Sequence, residues 1–241
     1  MNIFDPYDFP YRRGEFKNWA PPLLQSWHAK ICRESPLLIK DDIAYTKPFD
    51  LTGQSVCVIG GGGSVNRFAI GEYDHYWSMN SFFKHEKVSK LNLQLVGVGA
   101  GVDLHHSDFI QYCKDHDTVL AFEIHPVWEH RQYNHLSNRK MCYHTALYGK
   151  VGMGIRLINL AAELGAETVS FIGMDGPGAI LSGDHAFEPG KKDLPSLVNE
   201  GNAHYIHKHQ YDFCWQRLRV LYPFTKFISI DKENEYHERL L

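Results

Sequence analysis

The stretch "QSVCVIGGGGSV", Gln54–Val65, decides how the chain is read. Ser55–Ile59 is a short run of apolar and β-branched residues, and it ends abruptly in four glycines. A buried strand that runs into a glycine bend and then a helix start is the opening unit of a βαβ fold. Further apolar runs predict strands at His75–Asn80, Leu91–Gly99, Thr118–Ile124, Thr168–Asp175 and "KFISI", 226–230. Between them, "GMGIRLINLAAELG" predicts a helix from Gly152 to a terminating Gly165, and "HKHQYDFCWQRLRVLYP", 207–223, a second. Nearly continuous apolar strands that alternate with helices predict an α/β domain. Its sheet is doubly wound, mostly parallel and Rossmann-like, spans residues 51–241 and is covered on both faces. Residues 1–50, rich in Pro, Tyr and Trp, form an N-terminal extension with one helix at "PPLLQSWHAKICRE", led by prolines.

The totals agree with one such domain. The 241 residues are 44% hydrophobic and 22% charged, with a formal net charge of −3. This balance gives no basic footprint for a nucleic acid or an anionic membrane. The five cysteines are scattered and make no CxxC pair, which suits a reducing, cytoplasmic setting. The first residues lack an apolar signal core, and no run is long enough for a membrane span. Self-association into a homo-oligomer is left open.

In doubly wound folds ligands bind at the C-terminal ends of strands, and several of those ends carry unusual residues. Gly60, Gly61, Gly62 and Gly63 let backbone approach a ligand without Cβ obstruction. They can hold a nucleotide phosphate or simply make a tight turn. Ser64 can donate to that phosphate or cap the helix. Asn80 can serve a phosphate, a ribose or a base edge, or sit in a turn. Asp175, ending the strand "FIGMD", can bind ribose hydroxyls or a metal, or satisfy loop N–H groups. Gly152 and Gly154 make either an anion site or a close helix–sheet contact. "DLHHSD", Asp103–Asp108, reads as a solvated loop, the other reading being that His105 and His106 reach the acceptor side of the cleft. "FEIHPVWEHRQY" puts Glu123, His125, Trp128 and Arg131 after a strand end, where an acceptor-sugar or anion contact is one reading and a structural role the other. "NEGNAHYIHKHQYDF", Asn199–Phe213, holds His204, His207 and His209. No spacing matches HExxH, so no metal site is assigned.

Taken in order, "GGGGSV", "WSMNSFF", "AELGAETVSFIGMD" and "HYIHKHQYDF" resemble the motifs of the bacterial sialyltransferases that use CMP-sialic acid. The resemblance runs from about Val56 to Ile230. It implies that Gly60–Ser64 hold the nucleotide phosphate, that Asn80 contacts the nucleotide, and that Gly154 lies under the donor. It also makes His204 the catalytic base, leaving His207 and His209 to begin the next helix. Tyr205 and Arg131 then fall on the acceptor side. The chain departs from the family at Gly61, where the family has Asn, and at Gly63, where it has Pro. At His185 the family has one of its leaving-group tyrosines, which makes His185 a second catalytic candidate. The implied reaction is an inverting transfer without cofactor, from a nucleotide-sugar donor, with a CMP-sugar favoured, to a hydroxyl of a glycan or small-molecule acceptor. The motifs "GGGGS", "GMD" and "DHAF" are also similar to the MptE-like 6-hydroxymethylpterin diphosphokinases. That reading would use Asp175 and Asp184 for Mg²⁺ beside ATP phosphates. A third reading is a nucleotide-binding domain without turnover.

Overall fold

The computed structural model describes residues 49–99, 102–123, 140–143, 152–176, 184–191, 212, 214–216, 218–234 and 237. The predicted extension up to residue 48 therefore lies outside the described residues. The strands are β1 (Ser55–Ile59), β2 (His75–Met79), β3 (Leu95–Val98), β4 (Val119–Glu123), β5 (Lys140–Tyr143), β6 (Thr168–Ile172) and β7 (Lys226–Ser229). The helices are α1 (Ser64–Arg67), α2 (Ser107–Asp115) and α3 (Gly152–Glu163). Residues 214–216 and 218–221 are also helical.

All seven strands pair in parallel, in the order β5-β4-β3-β2-β1-β6-β7. The chain steps outward from β1 to β5, then returns through α3 to add β6 on the opposite side of β1. The strand order thus reverses between β1 and β6. At such a reversal the connecting loops diverge above and below the sheet and leave a crevice at the strand C-termini.

Side-chain alternation explains why the sheet is covered twice. Val56, Val58, Trp77, Leu95, Val169 and Phe171 face one core with α3 residues Ile155, Leu157, Ile158 and Ala161 and with Trp215 and Leu218. Cys57, Ile59, Val96, Leu120 and Ile172 face a second core with Phe82, Leu93, Phe109 and Phe187. Burying a side chain of this size is worth about 1.5–3 kcal/mol, so neither face of the central strands tolerates a charge. The α3 helix stops at Glu163, and Gly165 just beyond it takes a φ of +97°, which favours a residue without Cβ. Its N–H donates to the Ala162 carbonyl at 3.0 Å and the Ala166 N–H to Ala161 at 3.1 Å, which is a Schellman stop.

Several sequence expectations shift in detail. The β2 strand stops at Met79, so Asn80 belongs to the turn. The β3 strand begins only at Leu95; Leu91–Gln94 instead link it to a 3₁₀ turn at Val88–Lys90, which the Leu91 N–H closes on the Val88 carbonyl at 3.1 Å. The β6 strand ends at Ile172, which frees Gly173–Asp175 to bend over the sheet edge. Two elements, α2 and β5, had no sequence counterpart. His105 is exposed in a turn, and the partly exposed His106 that follows has a structural task as well: its Nδ1 accepts the Asp108 N–H at 3.2 Å and caps α2. Cys57 and Cys113 are buried, and burial pushes both thiols up to about 12, well out of the reactive range. Among the described residues no helix is long and apolar enough to cross a membrane.

Candidate functional site

The glycine bend leaves β1 at the strand-order reversal and meets the ends of β6 and of the segment Asp184–Lys191. Each glycine faces a different group. A Cβ on Gly60 would lie 3.0 Å from the Gly173 carbonyl carbon and the Met174 methyl. One on Gly61 would lie 2.6 Å from His185 Nε2, and one on Gly62 would lie 2.6 Å from the Asp175 carboxylate. At Gly63 it would collide with the Asp184 carboxylate. The missing side chains are therefore filled by two aspartates, an imidazole and a neighbouring loop.

The bend is pinned by its own hydrogen bonds. Gly60 N–H donates to the Ile172 carbonyl at 2.8 Å and Gly62 N–H to the Gly173 carbonyl at 2.9 Å. Asp175 Oδ2 accepts the Ser64 N–H at 2.9 Å, and its Oδ1 accepts the Ser64 hydroxyl. Ser64 Oγ in turn accepts the Gly173 N–H at 2.9 Å. Ser64 is fully buried, so this clasp satisfies polar atoms that would otherwise be stranded. Of the readings for Asp175, the one observed is satisfaction of loop N–H groups. The N–H groups of Gly61 and Gly63 have no acceptor among the described residues.

His185 is the group placed against them. It forms an isolated bridge with Gly62, and the Ala186 N–H donates to the Gly61 carbonyl at 2.7 Å. Its Nδ1 accepts the Glu188 N–H at 3.0 Å. Burial, and next the Lys191 ammonium, hold the imidazole below its usual range, against the pull of Glu188 and Asp175. A neutral ring that accepts at Nδ1 carries its proton on Nε2. The structure thus fixes a neutral N–H donor beside Gly61. Glu188 also pairs with Lys191 at 2.5 Å and Lys84 at 3.5 Å.

Asn80 takes φ +47°, which Asn tolerates better than most residues. Its Oδ1 accepts the Gly99 N–H at 2.8 Å. That bond assigns the amide orientation, so the other side of the Asn80 amide presents N–H groups. Gly152 sits at φ +78°, and Gly154 is packed against the Met174 thioether and methyl. Close helix–sheet packing is the observed role of Gly154. Asp184 pairs with Arg67 at 3.1 Å, and Arg67 also reaches the buried Asp231 at 3.7 Å. Sequence reasoning missed Arg67, Glu188, Asp231 and His237. No motif marks them; they reach the site only through the fold. His204, Tyr205, Arg131, His125, Trp128, His207 and His209 lie outside the described residues.

Four histidines, His75, His85, His185 and His237, have lowered pKa values, each chiefly through burial. A depressed histidine binds fewer protons folded than unfolded between the two values, so stability rises with pH there. The loss begins as pH falls below the unfolded value of about 6.5 and is complete below the folded values. Glu86 and Glu188, held low, add a loss of the same sign at more acid pH. Calorimetry should show Tm falling between pH 7.5 and 5.5; a flat Tm over that interval contradicts the assignment of neutral imidazoles.

No family model matches the chain, and no curated protein sequence does. In structure it is similar to the monofunctional α-2,3-sialyltransferase Cst-I from Campylobacter jejuni. The TM-score is 0.54 at 14% identity, over 83% of this chain and 82% of that one. The fold is shared with a sialyltransferase. An apo α-2,3-sialyltransferase from the same organism aligns at a TM-score of 0.46 and 12% identity, over 77% of this chain and 78% of that one. The described parts of the sheet and of α3 thus have the arrangement expected from the sequence, an α/β fold with a parallel sheet.

Proposed function

We propose that the chain is a nucleotide-sugar-dependent glycosyltransferase of the sialyltransferase-like kind. The observation that carries this reading is the neutral, Nε2-protonated His185 set against Gly61, whose N–H has no acceptor among the described residues, at the strand-order reversal of a fold shared with a sialyltransferase. A donor pair of this kind suits a nucleotide phosphate, and it suits it better as charge grows on the leaving oxygen. Asn80, offering amide N–H groups, takes an acceptor atom of the nucleotide or sugar. The Asp175–Ser64 clasp keeps the bend in shape rather than meeting the phosphate.

The reaction is a single displacement. The acceptor hydroxyl attacks the anomeric carbon, and the bond from that carbon to the phosphate oxygen breaks. The hydroxyl proton passes to His204, and the nucleotide leaves with the electron pair. An imidazole with an ordinary pKa of about 6.5 suits the base role near neutrality. Arg131 and Tyr205 belong to the acceptor side, and the donor is a CMP-sugar.

The experiment is a thermal-shift screen of CMP, CDP, UDP, GDP and ATP, each with and without Mg²⁺. Ligand at a hundred times its Kd stabilises by about 2.7 kcal/mol, or about 5–10 °C for a chain of this length. The expected result is a shift with CMP that does not need Mg²⁺. A shift confined to ATP with Mg²⁺ replaces this reading with the diphosphokinase one. Nucleotide binding with no transfer from any nucleotide sugar leaves a binding domain.

A further inference from the structure

His237 lies near the C-terminal end of the sequence, in a stretch of mixed charge with no motif, yet its side chain is 2% exposed. The ring is packed edge-on to Phe171 (centroids 5.1 Å) and tilted against Trp215 (5.9 Å). Its Nε2 lies 2.7 Å from the Met174 carbonyl and its Nδ1 2.8 Å from Ser229 Oγ. A carbonyl only accepts, so Nε2 donates to it, and the neutral ring accepts at Nδ1 from the Ser229 hydroxyl, whose single proton also faces the Asp231 carbonyl at 3.0 Å. A buried polar ring with both nitrogens engaged is a peg of fixed position.

What it pegs is the junction of the site. Met174 lies two residues beyond the end of β6 at Ile172. Its side chain fills the space beside Gly60 and Gly154, and so touches the glycine bend and the start of α3 together. The next residue is Asp175, which closes on the Ser64 N–H and hydroxyl.

We infer that His237 is a positioning residue. Its Nε2–H fixes the Met174 carbonyl and thereby holds Asp175 in its clasp on Ser64, shaping the bend from the far end of the chain. The inference stands on the clasp itself; only its consequence for ligand affinity rests on the proposed nucleotide site.

Three variants separate this role from bulk packing. His237→Gln places an amide N–H where Nε2–H lies, His237→Asn places one only where Nδ1 lies, and His237→Leu fills the volume with neither. Backbone amide exchange of Ser64 and Gly173 is measured in the ligand-free protein, and CMP affinity by calorimetry. In the Leu and Asn variants both amides exchange about tenfold faster or more, the effect of losing one buried hydrogen bond. CMP binding weakens in parallel. The Gln variant restores both. Wild-type exchange in the Leu or Asn variant overturns the inference, and so does a folded Gln variant that exchanges like Asn. If the Leu variant does not fold, the Gln–Asn pair decides alone. If wild-type protein does not bind CMP, the glycosyltransferase reading fails, while the exchange measurement still tests the peg.

Discussion

His204→Ala lowers transfer by about 10²–10⁴-fold and leaves nucleotide affinity unchanged. The range is that of a positioned general acid or base. The acceptor hydroxyl is a poor nucleophile until its proton has somewhere to go, and water is a weaker base than a positioned imidazole. A base that acts on the acceptor and not on the donor leaves the ground-state complex with nucleotide untouched. Single-turnover transfer and calorimetric titration of CMP read the two quantities separately. Unchanged turnover removes His204 from the mechanism. Equal loss of turnover and of nucleotide affinity makes it a donor contact instead.

The second large effect falls at His185 and divides the two ring nitrogens. Asparagine keeps an oxygen where Nδ1 accepts the Glu188 N–H, but it has nothing at the Nε2 position. Glutamine supplies an N–H at the Nε2 position and loses the Nδ1 acceptor. If Nε2–H steadies the departing phosphate, His185→Asn costs roughly 10²–10³ in kcat, the loss seen when one preorganised donor is removed. His185→Gln recovers much of it. The depressed pKa of His185 adds a pH signature. The wild-type ring stays neutral through pH 7, so activity limited by this residue shows no fall there. A requirement for protonated His185, seen as a rate that rises on acidification, contradicts its role as a neutral donor. Equal activity in the Asn variant and the wild type removes it from the leaving-group step.

The fold was legible because its signals are local. Each central strand is an apolar run closed by glycine or a polar turn, and α3 starts at a glycine pair and stops just before Gly165. The β5 strand was not legible, since "KMCY" at Lys140–Tyr143 is too short and too mixed to stand apart. The α2 helix was missed because its capping residue is a histidine, not Ser, Thr, Asp or Asn. At the site the residue types were legible and their partners were not. The sequence leaves Asp175 open between ribose, metal and loop N–H groups; only coordinates show both its oxygens on Ser64. His237 gives no sequence signal at all, because burial of a lone histidine sixty-three positions after Met174 is a property of the fold.

Space in the bend is shared between its two loops. The imidazole of His185 fills the volume that a side chain at 61 would occupy, and the Asp184 carboxylate does the same at 63. A side chain introduced at Gly61 or Gly63 alone therefore sets two groups in one place, and such a change is accommodated only when residue 185 or 184 shrinks or moves with it.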